Sequence, residues 1–181
     1  MHVVVGVDPG GHETGIVVRR GSAVAGGCVI ARQPQDSDAS YIAAILEAVD
    51  GYLADSNTTL VAVEGIVHPN PHVRMTNVDG LLDASKVFGA VVGRWPDAAI
   101  VDPAGNGSGP LASYPAELVG ERETTGSGGW RRHLRSAWDV AGAAQHRLRI
   151  GAGSAVTVGS NLPAASFRRP HQGATRVPAS R

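Results

Sequence analysis

An unbroken apolar run near the N-terminus limits the choice of folds. Residues 2–8 read HVVVGVD, so the run ends at an acid, Asp8, directly before Pro9 and Gly10. Almost every position is apolar, rather than every second one, which predicts a strand buried on both faces. Such a strand needs a covering layer on each side, and this favours an α/β architecture.

Four more strands and four helices follow from the spacing of apolar residues. Short glycine-containing links join the first three strands and predict antiparallel hairpins, whereas helices separate the later strands and predict parallel crossovers. We therefore predict an α/β fold whose mixed five-stranded sheet has three antiparallel hairpin strands, two parallel strands and helices on both faces. The further strands are predicted at 14–20, 23–31, 59–64 and 98–102, and the helices at 38–54, 76–95, 114–119 and 131–149.

The length of 181 residues fits one domain with a short tail. We place the domain at 1–150. Residues 151–181 contain four arginines and no acid, are rich in Gly, Ala, Ser and Pro, and have no sustained apolar period. This composition predicts a disordered basic tail.

Charge is distributed unevenly along a chain whose formal net charge is zero. Residues 1–110 hold six basic and twelve acidic side chains, a balance of −6, and residues 111–181 hold ten basic and four acidic ones, a balance of +6. Such asymmetry indicates a polyanionic partner that meets a carboxylate-rich centre, although a basic tail without a partner gives the same balance.

The chain has one cysteine, Cys28, and so no internal disulfide. This fits a reducing compartment. Asp8 interrupts the N-terminal apolar stretch, which argues against a signal peptide, and no segment approaches the roughly 20 apolar residues of a membrane helix. We expect a soluble cytoplasmic protein that does not bind membranes.

Two acids end buried strands of the predicted sheet. Asp8 ends the first strand and Glu64 ends the fourth. A right-handed crossover can place these strands side by side and parallel. Their carboxyl ends would then meet at one edge of the sheet, which is where open α/β sheets bind ligands.

A third acid, Asp139, lies on the last predicted helix. His133 and Ser136 precede it at three-residue steps, which gives a polar stripe on one side of that helix. If the stripe faces the strand ends, Asp8, Glu64, His133 and Asp139 form one constellation. Taken singly, each has another reading, because strand-end acids also form turns and helical histidines often lie at the surface.

Clustered carboxylates repel one another unless a cation neutralises them. Oxygen ligands favour Mg²⁺ or Mn²⁺. Two such ions about 4 Å apart can hold a phosphodiester, one activating water and the other stabilising the leaving oxygen. The pattern therefore predicts metal-dependent phosphodiester hydrolysis without a covalent enzyme intermediate.

Three segments, taken in order, resemble the RuvC-like Holliday-junction resolvases of the RNase H-like superfamily. They are VGVDPG at 5–10 followed by Thr14-Gly15, VAVE at 61–64, and HLRSAWDVA at 133–141. The resemblance implies an RNase H-like fold and a structure-selective endonuclease that resolves four-way DNA junctions.

The resemblance also implies that Asp8, Glu64 and Asp139 bind two Mg²⁺ ions. A fourth ligand of the family falls three or six residues before the last acid, which here means Ser136 or His133. His133 is the better candidate because serine is a poor metal ligand. The choice between the two stays open at this point.

Partners follow from the same resemblance: branched DNA and a second copy of the chain, with the helix after strand four at the dimer interface. In the loop 66–75, His68 and Arg74 are expected to touch DNA. The cellular enzymes are lysine-rich before the last helix, where this chain carries arginines instead. The candidate phosphate contacts are Lys86, the only lysine, together with Arg122, Arg131, Arg132 and Arg135.

The Gly-rich loop 103–108, Tyr114-Pro115 and the His-x-x-Ser-x-x-Asp helix resemble the versions carried by phages of actinobacteria. Three alternatives remain: an RNase H-fold nuclease acting on hybrids or flaps, a non-catalytic junction-binding protein on the same fold, and a fragment of an actin-like or sugar-kinase-like ATPase. The last conflicts with the chain length, because that chemistry needs two domains.

Overall fold

The computed structural model describes residues 2–55, 60–66, 78–103, 105–121, 123–124 and 129–153. Within them the chain alternates strands and helices much as the apolar spacing predicts. The strands are β1 (Val3–Asp8), β2 (Glu13–Arg20), β3 (Ala23–Ala31), β4 (Leu60–Glu64) and β5 (Ala99–Val101), and the helices are α1 (Asp38–Asp55), α2 (Val78–Arg94) and α3 (Arg132–Gly153).

The strands form one five-stranded sheet in the order β3-β2-β1-β4-β5. β1 pairs antiparallel with β2, and β2 with β3, whereas the pairs β1–β4 and β4–β5 are parallel. The predicted mixed sheet is confirmed. β1 is its central strand, as an apolar run without polar alternation predicts.

Helices cover both faces of the sheet. Val3, Val5 and Val7 of β1 point into a core that they share with α1 and α2. Val4, one residue out of phase, packs in a separate cluster with α3. Because side chains alternate across a strand, each residue of β1 belongs to one face or the other. The α1/α2 face and the α3 face are therefore two separate cores.

α3 approaches the sheet closely over two glycines. A Cβ on Gly6 would lie 2.0 Å from the carbonyl oxygen of Ala137, and one on Gly15 would lie 2.1 Å from that of His133. No other residue fits at these positions without moving the helix. The absence of side chains there brings the first two turns of α3 to the ends of β1 and β2.

The predicted helix at 114–119 is wrong. Two 3-10 helices, Leu111–Ser113 and Ala116–Leu118, lie in this region, and Tyr114 between them is extended with φ −101° and ψ 152°. The cause is Pro115, since a proline disfavours the helical conformation in the residue before it. The chain is thereby broken into two short turns.

α3 extends further than predicted, to Gly153, and so includes the first three residues of the segment assigned to the tail. Residues 154–181 lie outside the described residues. None of the described helices is both long and apolar enough to cross a membrane.

Candidate active site

Asp8 and Glu64 meet at the carboxyl edge of the sheet. The last paired residues of the parallel β1–β4 ladder are Val7 and Val63, so the two acids follow at the same level on neighbouring strands. Adjacent strands lie about 4.8 Å apart, which brings the two carboxyl groups together. Both acids are in phase with the residues that face α3, and both point toward that helix.

The environment of Glu64 favours its neutral form. Its pKa is raised to about 7, first by burial and then by a hydrogen bond with the Asp8 carboxyl and the negative charge of that group. Two carboxylates in contact cannot both be charged without cost unless a cation or a proton lies between them. The pair therefore has the character of a cation site.

His133, in the first turn of α3, contacts Asp8 directly. Its Nδ1 lies 2.8 Å from Asp8 Oδ2, and its Nε2 lies 3.6 Å from Glu13 Oε2. The hydrogen bond with Asp8 raises the pKa of His133, against the effect of burial. Gly15 below the helix makes this contact possible, because it lets the backbone of His133 rest on β2.

Ser136 lies one helical turn further along and serves the other acid. Its hydroxyl donates a hydrogen bond to Glu64 Oε2 at 2.9 Å. The three-residue step between His133 and Ser136 thus matches the separation of the two strand ends. His133 lies at Asp8 and Ser136 at Glu64, so both residues proposed for the fourth position contact an acid.

Asp139 is held by a loop rather than by the strand-end acids. Its Oδ2 accepts hydrogen bonds from the Gly107 N–H and from the Tyr114 hydroxyl, both at 2.9 Å. The neighbouring Asn106 donates from Nδ2 to Glu64 Oε1 at 2.9 Å. Two consecutive loop residues therefore connect Glu64 with Asp139.

The conformation of this loop depends on glycine. Gly107 has φ +74°, and a Cβ on it would lie 2.7 Å from the Arg132 carbonyl oxygen and 2.8 Å from the Ser136 nitrogen. A side chain would therefore be strained and would also collide with α3. The glycine lets the loop lie directly on α3, and so sets the position of Asn106 beside it.

The donor set fits a hard divalent cation at Asp8 and Glu64, because these two carboxyl groups follow neighbouring parallel strands at the same level. Within the described residues, however, no three His, Cys, Asp or Glu side chains lie close enough together to form a ready-made metal site. Asp139 is connected to Glu64 through the loop residues Asn106 and Gly107, but its carboxylate accepts hydrogen bonds from Gly107 and Tyr114. The structure thus brings two of the three predicted acids together and holds the third beside them.

Arg135, predicted to contact DNA phosphates, is instead an internal residue, and that prediction is wrong. It is fully buried, and its Nη1 donates to the Leu118 carbonyl at 3.1 Å and to Glu123 Oε2 at 2.6 Å. Its position on α3 turns it away from solvent toward Leu118 and Glu123. A buried guanidinium bonded in this way cannot reach a nucleic-acid backbone.

The other predicted DNA contacts differ in their surroundings. The Arg131 guanidinium donates to the carbonyls of Val119 at 2.6 Å and Glu117 at 3.3 Å. Arg132 is exposed. Lys86 is paired with acids of α1 and α2 rather than with the strand-end acids. The partners of Lys86 are Asp38 and Asp83, each at 2.7 Å. The remaining predicted DNA contacts, His68, Arg74 and Arg122, lie outside the described residues.

Sequence reasoning missed Asn106, Tyr114 and Glu13 as members of the site. A signal for the first was present, since Asn106 lies between two glycines, a pattern typical of loops that place a polar side chain. Tyr114 lacked such a signal. Its hydroxyl reaches Asp139 only because the chain between 105 and 114 lies against α3.

Comparison with known proteins identifies the fold. No protein-family model matches the sequence, and no curated protein is similar to it in sequence. Among solved structures, the chain is similar to Thermus thermophilus RuvC in complex with a Holliday junction substrate, with a TM-score of 0.57, 20% identity and coverage of 83% of this chain and 97% of that one. Another Thermus thermophilus RuvC structure gives a TM-score of 0.54 at 20% identity, covering 82% and 96%. The chain therefore has the RNase H-like fold of RuvC.

Proposed function

We propose that this protein is a Mg²⁺-dependent DNA endonuclease that resolves four-way junctions. The observation that carries the proposal is the placement of Asp8 and Glu64 at the same level on neighbouring strand ends, with His133 Nδ1 2.8 Å from Asp8 Oδ2. The fold is that of RuvC, a protein whose structure is known with a Holliday junction substrate. The sequence motifs that resemble this class contain the same acids.

Asp8 and Glu64 would hold a divalent ion directly, with Asp139 and His133 as the remaining ligands. When bound, two Mg²⁺ ions, or Mn²⁺ in their place, supply an activated water and stabilise the leaving oxygen of the phosphodiester. The protein's own contribution is orientation. Asn106 and Ser136 each donate to a different oxygen of Glu64 and so fix the plane of its carboxylate.

The substrate would approach beside His133. An open cleft of about 380 Å³ adjoins this residue and is bordered by Gly11, Glu13, Arg32 and Gly80. Arg132, the residue before His133 in the chain, is exposed. The proposed DNA contacts are Arg131 and Arg132 together with His68, Arg74 and Arg122.

We also propose that the protein acts as a homodimer through α2. Val78 and Leu82 on this helix are 52% and 54% exposed, which is unusual for large apolar side chains on a helix that otherwise packs on the sheet. A two-fold dimer would place two sites on a substrate with two equivalent strands to cut. The place of action would be the cytoplasm of a bacterium or of a phage-infected host.

The test is a cleavage panel with four-way junctions, flaps, RNA–DNA hybrids and duplexes of equal length in Mg²⁺. We expect symmetric paired nicks in the junctions, none without metal, and a loss of at least about a thousandfold in Asp8→Asn, because a metal ligand is removed. Glu47→Gln, which changes an exposed acid of α1, should cut like the wild type. A preference for hybrids or flaps would assign the fold to a different nuclease.

A second candidate, a junction-binding protein without catalysis, is favoured by the engagement of Asp139 with Tyr114 and Gly107. In that case the wild type binds junctions but cuts none of the substrates in Mg²⁺ or Mn²⁺. Asp8→Asn would then change neither binding nor any measured activity. The same panel, with binding measured beside cleavage, separates the two candidates.

A further inference from the structure

Trp130, just before α3, is the exception among the tryptophans. It is 56% exposed, whereas Trp138 within α3 is 5% exposed and buried in the core. Tryptophan rings are enriched at binding interfaces, where one side is apolar and the other is wet. Trp130 precedes His133 of the candidate active site by three residues, which makes a functional partner the first question.

The ring of Trp130 is supported from within the protein. The Arg131 guanidinium lies 5.2 Å from the ring centroid. That guanidinium is itself fixed by its hydrogen bonds to the Val119 and Glu117 carbonyls. A fixed cation beside an exposed aromatic ring gives a platform that is already ordered before a ligand arrives.

The platform directly precedes the turn of α3 that contacts Asp8 through His133. Trp130 is three residues before His133, so the two are separated by at most about 11 Å along the backbone. Between them, Arg132 is exposed, and its charge is close enough to His133 to act on that residue's pKa, in the lowering direction. Its side chain has no hydrogen bond or ion pair with any other described residue.

We propose that Trp130 stacks on the face of a DNA base exposed at the branch point, while Arg132 contacts the adjoining phosphate. The inference rests on the proposed nuclease function and adds the residue that reads the branched structure. Aromatic rings bind bases through their faces with little dependence on sequence, and arginine suits the phosphate. Trp130 thus supplies structure selectivity, while the acids supply hydrolysis.

Charge favours DNA over a second copy of the chain as the partner of this surface. Arg131 lies beside the ring and Arg132 follows it in the chain, and the first turn of α3 contains no acid. A two-fold contact through Trp130 would bring the arginines of both copies together, which is unfavourable. A polyanion with exposed base faces can stack on the ring and pair with both arginines at once.

The test compares Trp130→Ala with Trp130→Phe, using Trp95→Phe as the matched control. Binding to a four-way junction, a continuous duplex and a single strand is measured without divalent metal, so that no cleavage occurs. We expect Trp130→Ala to weaken junction and single-strand binding roughly tenfold, and to leave duplex binding within about twofold, because only the first two expose base faces. Trp130→Phe should retain most of the affinity.

Fluorescence gives a second readout. Stacking should quench tryptophan emission when the wild type or Trp95→Phe binds a junction, and this quenching should be lost in Trp130→Phe even though it binds. The inference would be overturned if Trp130→Ala bound the junction and the single strand as well as the wild type does, or if it lost affinity equally for all three DNAs. A changed molecular mass of Trp130→Ala in solution would also overturn it.

Cleavage by the wild type tests the nuclease proposal independently of the stacking inference. If the wild type cuts junctions but Trp130→Ala binds them as well as the wild type does, the nuclease proposal stands and the stacking inference fails. If the wild type cuts nothing, but Trp130 emission is quenched by a single strand and Trp130→Ala weakens that binding, the reverse holds.

Discussion

The two faces of the sheet are built from different residues, and β1 shows the contrast within six positions. Toward α1 and α2 it presents Val3, Val5 and Val7, which are all buried in a continuous apolar core. Toward α3 the same strand presents Val4, Gly6 and Asp8. One face is filled by side chains, whereas the other admits a helix at backbone distance and ends in an acid.

The difference separates stability from chemistry. Apolar area buried between the sheet and α1/α2 drives folding and does not depend on a particular hydrogen bond. The α3 face depends on close approach, since Gly6 and Gly15 bring His133 and Ser136 to the strand-end acids. Substitutions on the two faces should therefore have different effects on stability and on the active site.

The largest expected effect is that of Gly6→Ala. A Cβ there would lie 2.0 Å from the Ala137 carbonyl oxygen, so α3 must move away from the sheet. We expect the free energy of unfolding to fall by about 4 kcal/mol or more, at the upper end for a single substitution, together with loss of cleavage. Urea unfolding monitored by circular dichroism measures the change.

Gly51→Ala is the matched control on the helix covering the opposite face. A Cβ on Gly51 meets no atom within 4 Å, so this substitution should raise helix stability by about 0.5–1 kcal/mol without changing the site. Equal effects of the two substitutions would contradict the distinction between the faces.

Arg135→Met is expected to have the next largest effect. Arg135 is fully buried, and its loss leaves the largely buried Glu123 carboxylate without its cation. Breaking a buried pair from one side costs about 3–5 kcal/mol. Arg132→Met removes an exposed arginine from the same helix and should change stability by less than about 0.5 kcal/mol. Similar unfolding midpoints for both variants would mean that Arg135 does not hold the α3 face together.

Tyr114→Phe tests what a single hydroxyl contributes within the α3 face. It removes the hydroxyl that donates to Asp139 and accepts from the Gly109 N–H at 3.0 Å. We expect a loss of about 1–2 kcal/mol in stability and about tenfold weaker Mn²⁺ binding, since a group that orients a ligand is removed. Tyr52→Phe, on α1, should not affect the metal. Tighter Mn²⁺ binding in Tyr114→Phe would mean that the hydroxyl restrains Asp139 instead of orienting it.

The smallest expected effect is a pH dependence confined to the α3 face. Burial and Asp8 raise the pKa of Glu64 to about 7. A raised carboxyl pKa contributes stability below its unfolded value near 4.3, and that stability is lost as pH rises through about 7. The metal-free Tm should therefore fall by a few degrees between about pH 5 and 8. Glu64→Gln should flatten this decline relative to Glu47→Gln, and parallel curves would contradict the assignment.

The sequence predicts the α1/α2 face and the strand ends well, because both depend on local patterns. Apolar runs, short glycine links and helical spacing are enough to predict the mixed five-stranded sheet with its antiparallel hairpins and parallel crossovers. They also place Asp8 and Glu64 at one edge of the sheet. The three-residue step from His133 to Ser136 likewise predicts that these residues share a side of α3.

The remainder of the α3 face depends on contacts distant in sequence. Arg135 lies in an arginine-rich segment that predicts a DNA contact, and only its burial and its hydrogen bonds to Leu118 and Glu123 show that it is internal. Tyr114 meets Asp139 across 25 positions, through a loop whose path is set by Gly107 and Pro115. No local pattern encodes either contact.

Asp8 and Glu64 are proposed to hold a divalent cation together at the α3 face. Mn²⁺ titration of the full chain, followed by electron paramagnetic resonance, measures this binding directly, with Asp8→Asn, Glu64→Gln and Glu47→Gln in parallel. We expect saturable binding in the wild type and in Glu47→Gln, and an affinity at least about tenfold lower in each of the other two, because a ligand is removed. Equal Mn²⁺ binding by all four proteins would mean that the two acids do not hold the cation.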